Sequence, residues 1–236
     1  MTRHSKAIQK MFKQISPTYD LLNRTLSLGH DIYWRREMVR HLALSQNALV
    51  LDMATGTGDV AIEIVRQFNS RVSVLGIDFV FNMLLLGKEK IAQAGYGNHI
   101  RLMQGDVLNL PLKANMFDAV TIAFGIRNMA DKEEVLRVFY SLLKKGGHAL
   151  ILELTRPEKG LMKNIYLAYF KKILPLAGKL ISKDANAYKY LPESVMTFPH
   201  PLRLCKIMKE IGFSPVWHRP LTNGICTIIS GKKPDA

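Results

Sequence analysis

The stretch Val50-Leu51-Asp52-Met53-Ala54-Thr55-Gly56-Thr57-Gly58-Asp59 constrains the fold more than any other part of the chain. An apolar run from Ala48 to Leu51 ends in a carboxylate and breaks into small residues. A helical pattern then opens at Asp59, with Val60, Ile64, Val65 and Phe68 spaced for one buried face. This predicts a strand, a glycine turn and a helix N-terminus, the place where an α/β sheet binds a nucleotide-like ligand. Glycine suits the turn because a Cβ would block close approach of a ligand to the backbone. The plainer alternative is a tight βα turn with no ligand.

Downstream the alternation is regular. Val72 to Asp78 reads as a second strand, and about Asn82 to Gln93 as a helix. Ile100 to Gly105 follows as a third strand, ahead of Asp106, and Phe117 to Phe124 as a fourth. A helix from Asp131 to Leu143 is expected to stop at Lys144-Lys145-Gly146-Gly147, with glycine supplying a positive φ. His148 to Leu154 reads as the fifth strand. This rhythm predicts a mostly parallel sheet covered on both faces. After a helix from Pro201 to about Glu210, two strands, Phe213 to Leu221 and Gly224 to Ser230, are joined by Thr222-Asn223-Gly224, a strong hairpin signal.

Two segments stand outside the rhythm. At the N-terminus, Lys6, Lys10 and Lys13 alternate with Ile8, Met11, Phe12 and Ile15, which predicts a basic amphipathic helix closed by Pro17. A turn-rich Ser16 to Asn23 follows, and Asp31 is placed to cap a helix holding Trp34, Met38, Val39 and Leu42. Residues 1–45 read as a helical lid over a site, or as a wrapper fixed by ordinary packing. Residues 155–198 read as an insertion of basic amphipathic helices, with Lys159, Lys163, Lys171, Lys172, Lys179, Lys183 and Lys189 among Tyr166, Phe170, Tyr188 and Tyr190.

The 236 residues suffice for one α/β domain with such additions. Lys and Arg outnumber Asp and Glu by 33 to 19, so nucleic acid, an anionic membrane surface or merely solvent can face the excess charge. Cys205 and Cys226 match no metal-ligand spacing and read as reduced packing residues of a cytosolic protein; no metal is expected. Neither a secretory segment nor a run of roughly 20 apolar residues is visible, so the expectation is a soluble, intracellular chain.

Gly56-Thr57-Gly58-Asp59-Val60-Ala61 also fits the loose dinucleotide pattern, with Asp78 about 20 residues on. S-adenosyl-L-methionine explains the carboxylates better. It has no pyrophosphate for Asp52 and Asp59 to repel, and negative charge there suits an ammonium and a sulfonium. Asp78 can accept two ribose hydroxyl protons. Asp106 can accept from an adenine amine, with the Val107 N–H facing a ring nitrogen.

These residues resemble the class I S-adenosylmethionine-dependent methyltransferases. That resemblance implies an α/β, Rossmann-like, seven-stranded and mostly parallel sheet of order 3-2-1-4-5-7-6, strand 7 antiparallel, with helices on both faces. It implies a single methyltransferase domain over residues 1–236. Tyr19-Asp20-Leu21-Leu22-Asn23, Ser27-Leu28-Gly29, Trp34-Arg35, Phe124-Gly125-Ile126-Arg127-Asn128 and Leu143-Lys144-Lys145-Gly146-Gly147 narrow it to the ubiquinone/menaquinone biosynthesis C-methyltransferase family. The stretch Tyr169 to Leu180 is more similar to the demethylmenaquinone branch. By this resemblance Thr57, Asp78, Asp106 and Val107 are the expected cofactor contacts, and the turn itself adds Asp52, Gly56 and Gly58 as cofactor-binding residues. Ala123 stands where many relatives carry serine, so any contact made by that hydroxyl is absent.

The implied reaction methylates a ring carbon of a prenylated hydroquinone. Arg127 and Asn128 are expected to orient and stabilise its oxygens, with Tyr19, Asp20 or His30 relaying a proton; Arg127 could instead form a structural ion pair with a strand-end carboxylate. A lipid-borne substrate implies a cytoplasmic protein peripherally associated with the inner face of an anionic membrane, through the basic insertion. A homodimer is left open. The rivals are a methyltransferase of another lipophilic phenol and an RNA methyltransferase. Against the latter, no Asn/Asp-Pro-Pro-aromatic tetrapeptide follows the fourth strand, and nucleic acid is not expected as a partner.

Overall fold

A computed structural model describes residues 3–157 and 185–235, with side chains given from Lys6 in the first helix and from Tyr190 in the helix that begins at Ala185. Helix α1 (Arg3–Ile15), a single 3-10 turn (Ser16–Thr18), α2 (Tyr19–Leu26) and α3 (His30–Arg40) precede the sheet. The alternating part runs β1 (Leu49–Met53), α4 (Asp59–Gln67), β2 (Ser73–Asp78), α5 (Phe81–Gln93), β3 (Ile100–Gln104) and β4 (Phe117–Ala123). A short 3-10 turn (Ile126–Asn128), α6 (Lys132–Leu142) and β5 (Leu143–Leu154) complete it. After the residues not described come α7 (Ala185–Thr197), α8 (Pro201–Ile211), β6 (Val216–Leu221) and β7 (Cys226–Lys232).

The sheet order is β3-β2-β1-β4-β5-β7-β6. β1 to β5 pair in parallel, and β7 lies antiparallel to both β5 and β6. This is the order and polarity expected from the resemblance. Side chains alternate between faces along a strand, so each inner strand feeds two cores. Val50 and Val74 join Trp34, Met38 and Ile64 on the α3–α4 face. Leu51 and Met53 join Leu136, Phe139 and Met208 on the α6–α8 face. Both cysteines are free and buried.

Three local expectations are corrected. The segment read as turn-rich is helical from Tyr19, because Pro17 falls inside the 3-10 turn, where its missing N–H and fixed φ are tolerated and the helix restarts behind it. Asp31 does not cap α3. Gly29 is the N-cap, and the Ser27 hydroxyl accepts from the Asp31 N–H at 3.2 Å and donates to Asp31 Oδ1 at 2.9 Å, leaving Oδ2 to the arginines. Lys144-Lys145-Gly146-Gly147 does not cap α6 either. Leu143 is already extended and the four residues form an irregularity within β5, with Gly146 at φ +77°. The hairpin turn is as expected, with Thr222, Asn223 and Gly224 all left-handed.

The calls for Lys159 through Lys183, Tyr166 and Phe170 lie outside the described residues. Helix α7 closes that segment and packs Val195 against Leu26 of α2 and Leu154 of β5. Among the described residues no helix is long and apolar enough to cross a membrane.

Gly76 in β2 shows how closely the site is packed from beneath. A Cβ there would lie 2.8 Å from Leu102 and 2.9 Å from the Thr55 hydroxyl. Gly76→Ala is therefore expected to lower stability by about 1–3 kcal/mol, read as a lower urea midpoint with an unchanged slope.

Candidate functional site

The carboxyl ends of the parallel strands carry the site. Gly56 and Gly58 have φ of +58° and +81°, so the turn after β1 needs residues without a Cβ and delivers the chain into α4. Asp52, at the end of β1, is buried beneath that turn. It accepts from the Thr55 hydroxyl at 2.6 Å and the Thr121 hydroxyl at 2.7 Å, and burial pushes its carboxyl up to about 6. Asp78, at the end of β2, accepts from the Gly56 N–H at 2.9 Å and the Val80 N–H at 2.8 Å. Burial raises it to about 6 as well, against the pull of those backbone donors.

A cavity of about 510 Å³ opens beside this turn, within the usual range of small-molecule sites. Gly56, Asp78, Asp106 and Val107 form one side of it; Tyr19, Phe124 and Asn128 contribute elsewhere. Ile8 and Phe12 of α1 line it too. The cavity's surface is mostly apolar with a few converging polar groups. Each Asp78 oxygen already holds one backbone N–H and keeps lone pairs for further donors, which fits the vicinal hydroxyls of a ribose. The Asp106 carboxylate, bonded to the Leu108 N–H at 3.2 Å, is placed to take one more donor. The residues present therefore fit an adenosyl group without a phosphate.

Several expected residues serve the site from outside the cavity wall. The Thr57 hydroxyl donates to Asp20 at 2.7 Å, and Lys90 bridges Asp20 and Asp59, each at 2.5 Å. Asp59 also meets Arg35 at 3.4 Å, while Arg35 and Arg24 both pair with Asp31. Burial alone would raise Asp59, but Arg35 and Lys90 hold its carboxyl below the usual range. This network clamps α2 and α3 onto the glycine turn. His30 stands apart from the cavity. It is exposed at the start of α3, with its ring tilted against Trp34 at 5.9 Å.

Arg127 is the second centre. Its Nη1 donates to Glu153 at 2.6 Å and to the Phe124 carbonyl at 2.6 Å. Glu153, fully buried, also accepts the Arg127 backbone N–H at 3.1 Å. The strand-end ion pair is thus present. Burial opposes the guanidinium charge, yet Glu153 and the nearby Tyr19 keep it firmly protonated. Arg127 Nε is buried with no acceptor among the described residues. Asn128, next in sequence, faces the cavity and accepts the Tyr190 hydroxyl at 2.8 Å. Tyr19 is half-buried, and its desolvation raises its phenol; the Asn23 amide, Arg35 and Arg127 pull the other way without overcoming that.

Sequence reasoning missed Lys90, Glu153 and Tyr190 as site residues. A carboxylate inside the apolar run from His148 to Leu154 was a usable signal for Glu153. Nothing in the sequence marks Lys90, because its partners are 31 and 70 residues away.

The carboxylate of Asp78 gives a pH test. A ribose binds the ionised form, so adenosyl affinity is full above about pH 6 and falls about tenfold per unit as pH drops below the raised value. Calorimetric titration with S-adenosylhomocysteine checks this. Asp78→Asn should bind at least tenfold more weakly at pH 7.5 and lose the pH dependence.

A sequence profile of the ubiE/COQ5 methyltransferase family matches residues 1–233. A Geotalea daltonii protein named ubiquinone/menaquinone biosynthesis C-methyltransferase is 44% identical over 233 residues, 99% of each chain. A Deinococcus radiodurans protein named demethylmenaquinone methyltransferase is 44% identical, covering 97% of this chain and 93% of its own. Among solved structures, a candidate S-adenosyl-L-methionine-dependent methyltransferase of Methanococcus maripaludis superposes with a TM-score of 0.69 at 21% identity, over 95% of this chain and 94% of that one. Haemonchus contortus phosphoethanolamine N-methyltransferase 2, solved with S-adenosyl-L-methionine, gives 0.62 at 16% identity, over 91% of this chain and 59% of that one. At such identities the structural likeness speaks for the fold alone. The sequence likeness, running almost end to end, goes further: the chain belongs to the ubiE/COQ5 methyltransferase family.

Proposed function

We propose that the protein methylates a ring carbon of a prenylated hydroquinone, converting demethylmenaquinol to menaquinol, with S-adenosyl-L-methionine as methyl donor. The observation that carries this reading is the single cavity in which Asp78 and Asp106 meet Tyr19 and Asn128. When bound, the donor supplies an electrophilic methyl group on a sulfonium. Asp78 and Asp106 hold its nucleoside part, and α1 closes over the cavity with Ile8 and Phe12.

The chain's remaining task is to make carbon nucleophilic. A ring carbon attacks only when an adjacent hydroxyl gives up its proton. With a phenol-like pKa of about 10, that ionisation costs roughly 4 kcal/mol at pH 7. Asn128 and Tyr19 face the cavity and can donate hydrogen bonds to the oxygen that becomes negative. Arg127 stands behind them and adds positive potential to that wall, held in place by Glu153. The hydroxyl proton passes to water, directly or by way of Tyr19, which takes it as it hands its own proton to water and so remains a neutral donor to the phenolate; after methyl transfer the ring C–H proton returns to the oxygen and restores the hydroquinone. Exclusion of bulk water by α1 and α2 favours a step in which charge is neutralised. Asp20 and His30 take no part in this chemistry: Asp20 is committed to Lys90 and Thr57, and His30 is exposed.

A quinol with a prenyl tail resides in lipid, so the protein works at the inner surface of an anionic membrane. Supporting this, Lys6, Lys10 and Lys13 are exposed on α1 while Ile8 and Phe12 of the same helix line the cavity. The sequence of the lysine-rich 155–198 segment adds positive charge, each Lys near an anionic leaflet contributing about 1 kcal/mol.

Incubation of demethylated menaquinols with isotopically labelled donor should give one added methyl on the ring, identified by mass; labelling of bulk tRNA instead would overturn the reading. Arg127→Ala should lower kcat about tenfold or more in protein whose near-UV dichroism is unchanged. Normal turnover would remove Arg127 from the chemistry. Sedimentation with phosphatidylglycerol vesicles should be strong at low salt and lost by about 0.5 M salt, with little binding to neutral vesicles.

A further inference from the structure

Asn128 is an ambiguous tool until its amide is oriented. Its Oδ1 would repel a phenolate and its Nδ2 would stabilise one, and the two ends are nearly the same shape. The fold resolves this with a residue from another element. Tyr190, on the second turn of α7, places its hydroxyl 2.8 Å from Asn128 Oδ1. In that bond the Tyr190 hydroxyl is the donor, and half-burial keeps its proton on despite the nearby Arg127. Among the described residues the Asn128 amide nitrogen has only the Phe124 carbonyl within reach, at a long 3.5 Å, and the residue lines the cavity. With its carbonyl end occupied, Asn128 offers the cavity an N–H.

We propose that Tyr190 is a positioning residue that fixes the amide of Asn128 with its donor toward the substrate oxygen, and so sets the sign of the hydrogen bond that the developing phenolate meets. The proposal rests on the reading of Asn128 given above. Arg127, Glu153 and Tyr19 surround the same wall from the 3-10 turn, β5 and α2, and none of them donates to Asn128 Oδ1. Tyr190 stands on the helix that ends the basic segment. Its placement therefore links that segment to the chemistry: α7 must be docked on the 3-10 turn for the amide to be aimed.

The test is a pH profile within a double-mutant cycle, using the full chain and a short-tailed demethylmenaquinol. Tyr190→Phe removes the hydroxyl and keeps the ring. The amide is then free to turn, and the substrate loses a donor when it ionises. The expected result is a kcat about tenfold lower at pH 7, with the rising limb of the kcat profile displaced upward by about one unit and the deficit closing as the pH approaches about 10, where the substrate ionises unaided. The KM for S-adenosylmethionine should not change. In an Asn128→Ala background the same substitution should have no further effect. A uniform loss at all pH values, or an equal loss in the Asn128→Ala background, would show a structural role only and overturn the proposal. If Asn128→Ala alone turns over normally, the reading of Asn128 itself fails. If Asn128→Ala is slow but Tyr190→Phe is normal, only the role of Tyr190 fails.

Discussion

The turn after β1 is held from three sides, and the site depends on all three. From below, Asp52 accepts two threonine hydroxyls in a place where no water reaches it. From the side, Asp78 takes the Gly56 N–H and so ties the end of β2 to the turn. From above, Thr57, Asp20, Lys90 and Asp59 join the turn to α2 and α5. Burying carboxylates is costly unless their lone pairs are satisfied. Here each acid is satisfied by a different strand end or helix, so the cost becomes a constraint on geometry. The loop is flexible by composition and rigid by its bonds.

The same logic governs the second centre. Glu153 lies fully buried on β5, an expensive position for a carboxylate. Arg127 supplies both its side chain and its backbone N–H to that acid. The pair fixes the 3-10 turn that follows β4, and with it Asn128 and the cavity wall. The arginine is thus both a structural ion pair and a source of positive potential beside two phenols. The two roles were alternatives in the sequence and are compatible in the fold, because the ion pair leaves Nε unused among the described residues.

The lid is more than a cover. Leu22 and Ile15 pack with Tyr19 and Phe12, so the apolar faces of α1 and α2 form their own small core. Trp34 of α3 donates to Thr222 at the hairpin turn at 2.8 Å, anchoring the same unit to the far side of the sheet. The outer face of this unit bears Lys6, Lys10 and Lys13, Ile8 and Phe12 line the cavity, and Asp20 ties it to the turn through Thr57 and Lys90.

Much of this was legible in the chain alone. Hydrophobic period, glycine placement and strand-end carboxylates are local signals, and they carried the mostly parallel sheet, the turn and the acidic residues Asp78 and Asp106 at its edge; the strand order came from the family resemblance. Local signals misled where neighbours decided the outcome: Pro17 inside a 3-10 turn, Asp31 drawn to arginines in place of a capping role, and Leu143 drawn into β5 by pairing with Phe117. The sequence by itself determined the architecture and the kind of ligand, because those follow from which residues recur at which spacing. Only the tertiary structure decided which polar groups face one another. Lys90 meets Asp20, Glu153 meets Arg127 and Tyr190 meets Asn128 across 70, 26 and 62 residues. Side-chain direction, which sets whether an amide donates or accepts, exists only once distant segments have packed.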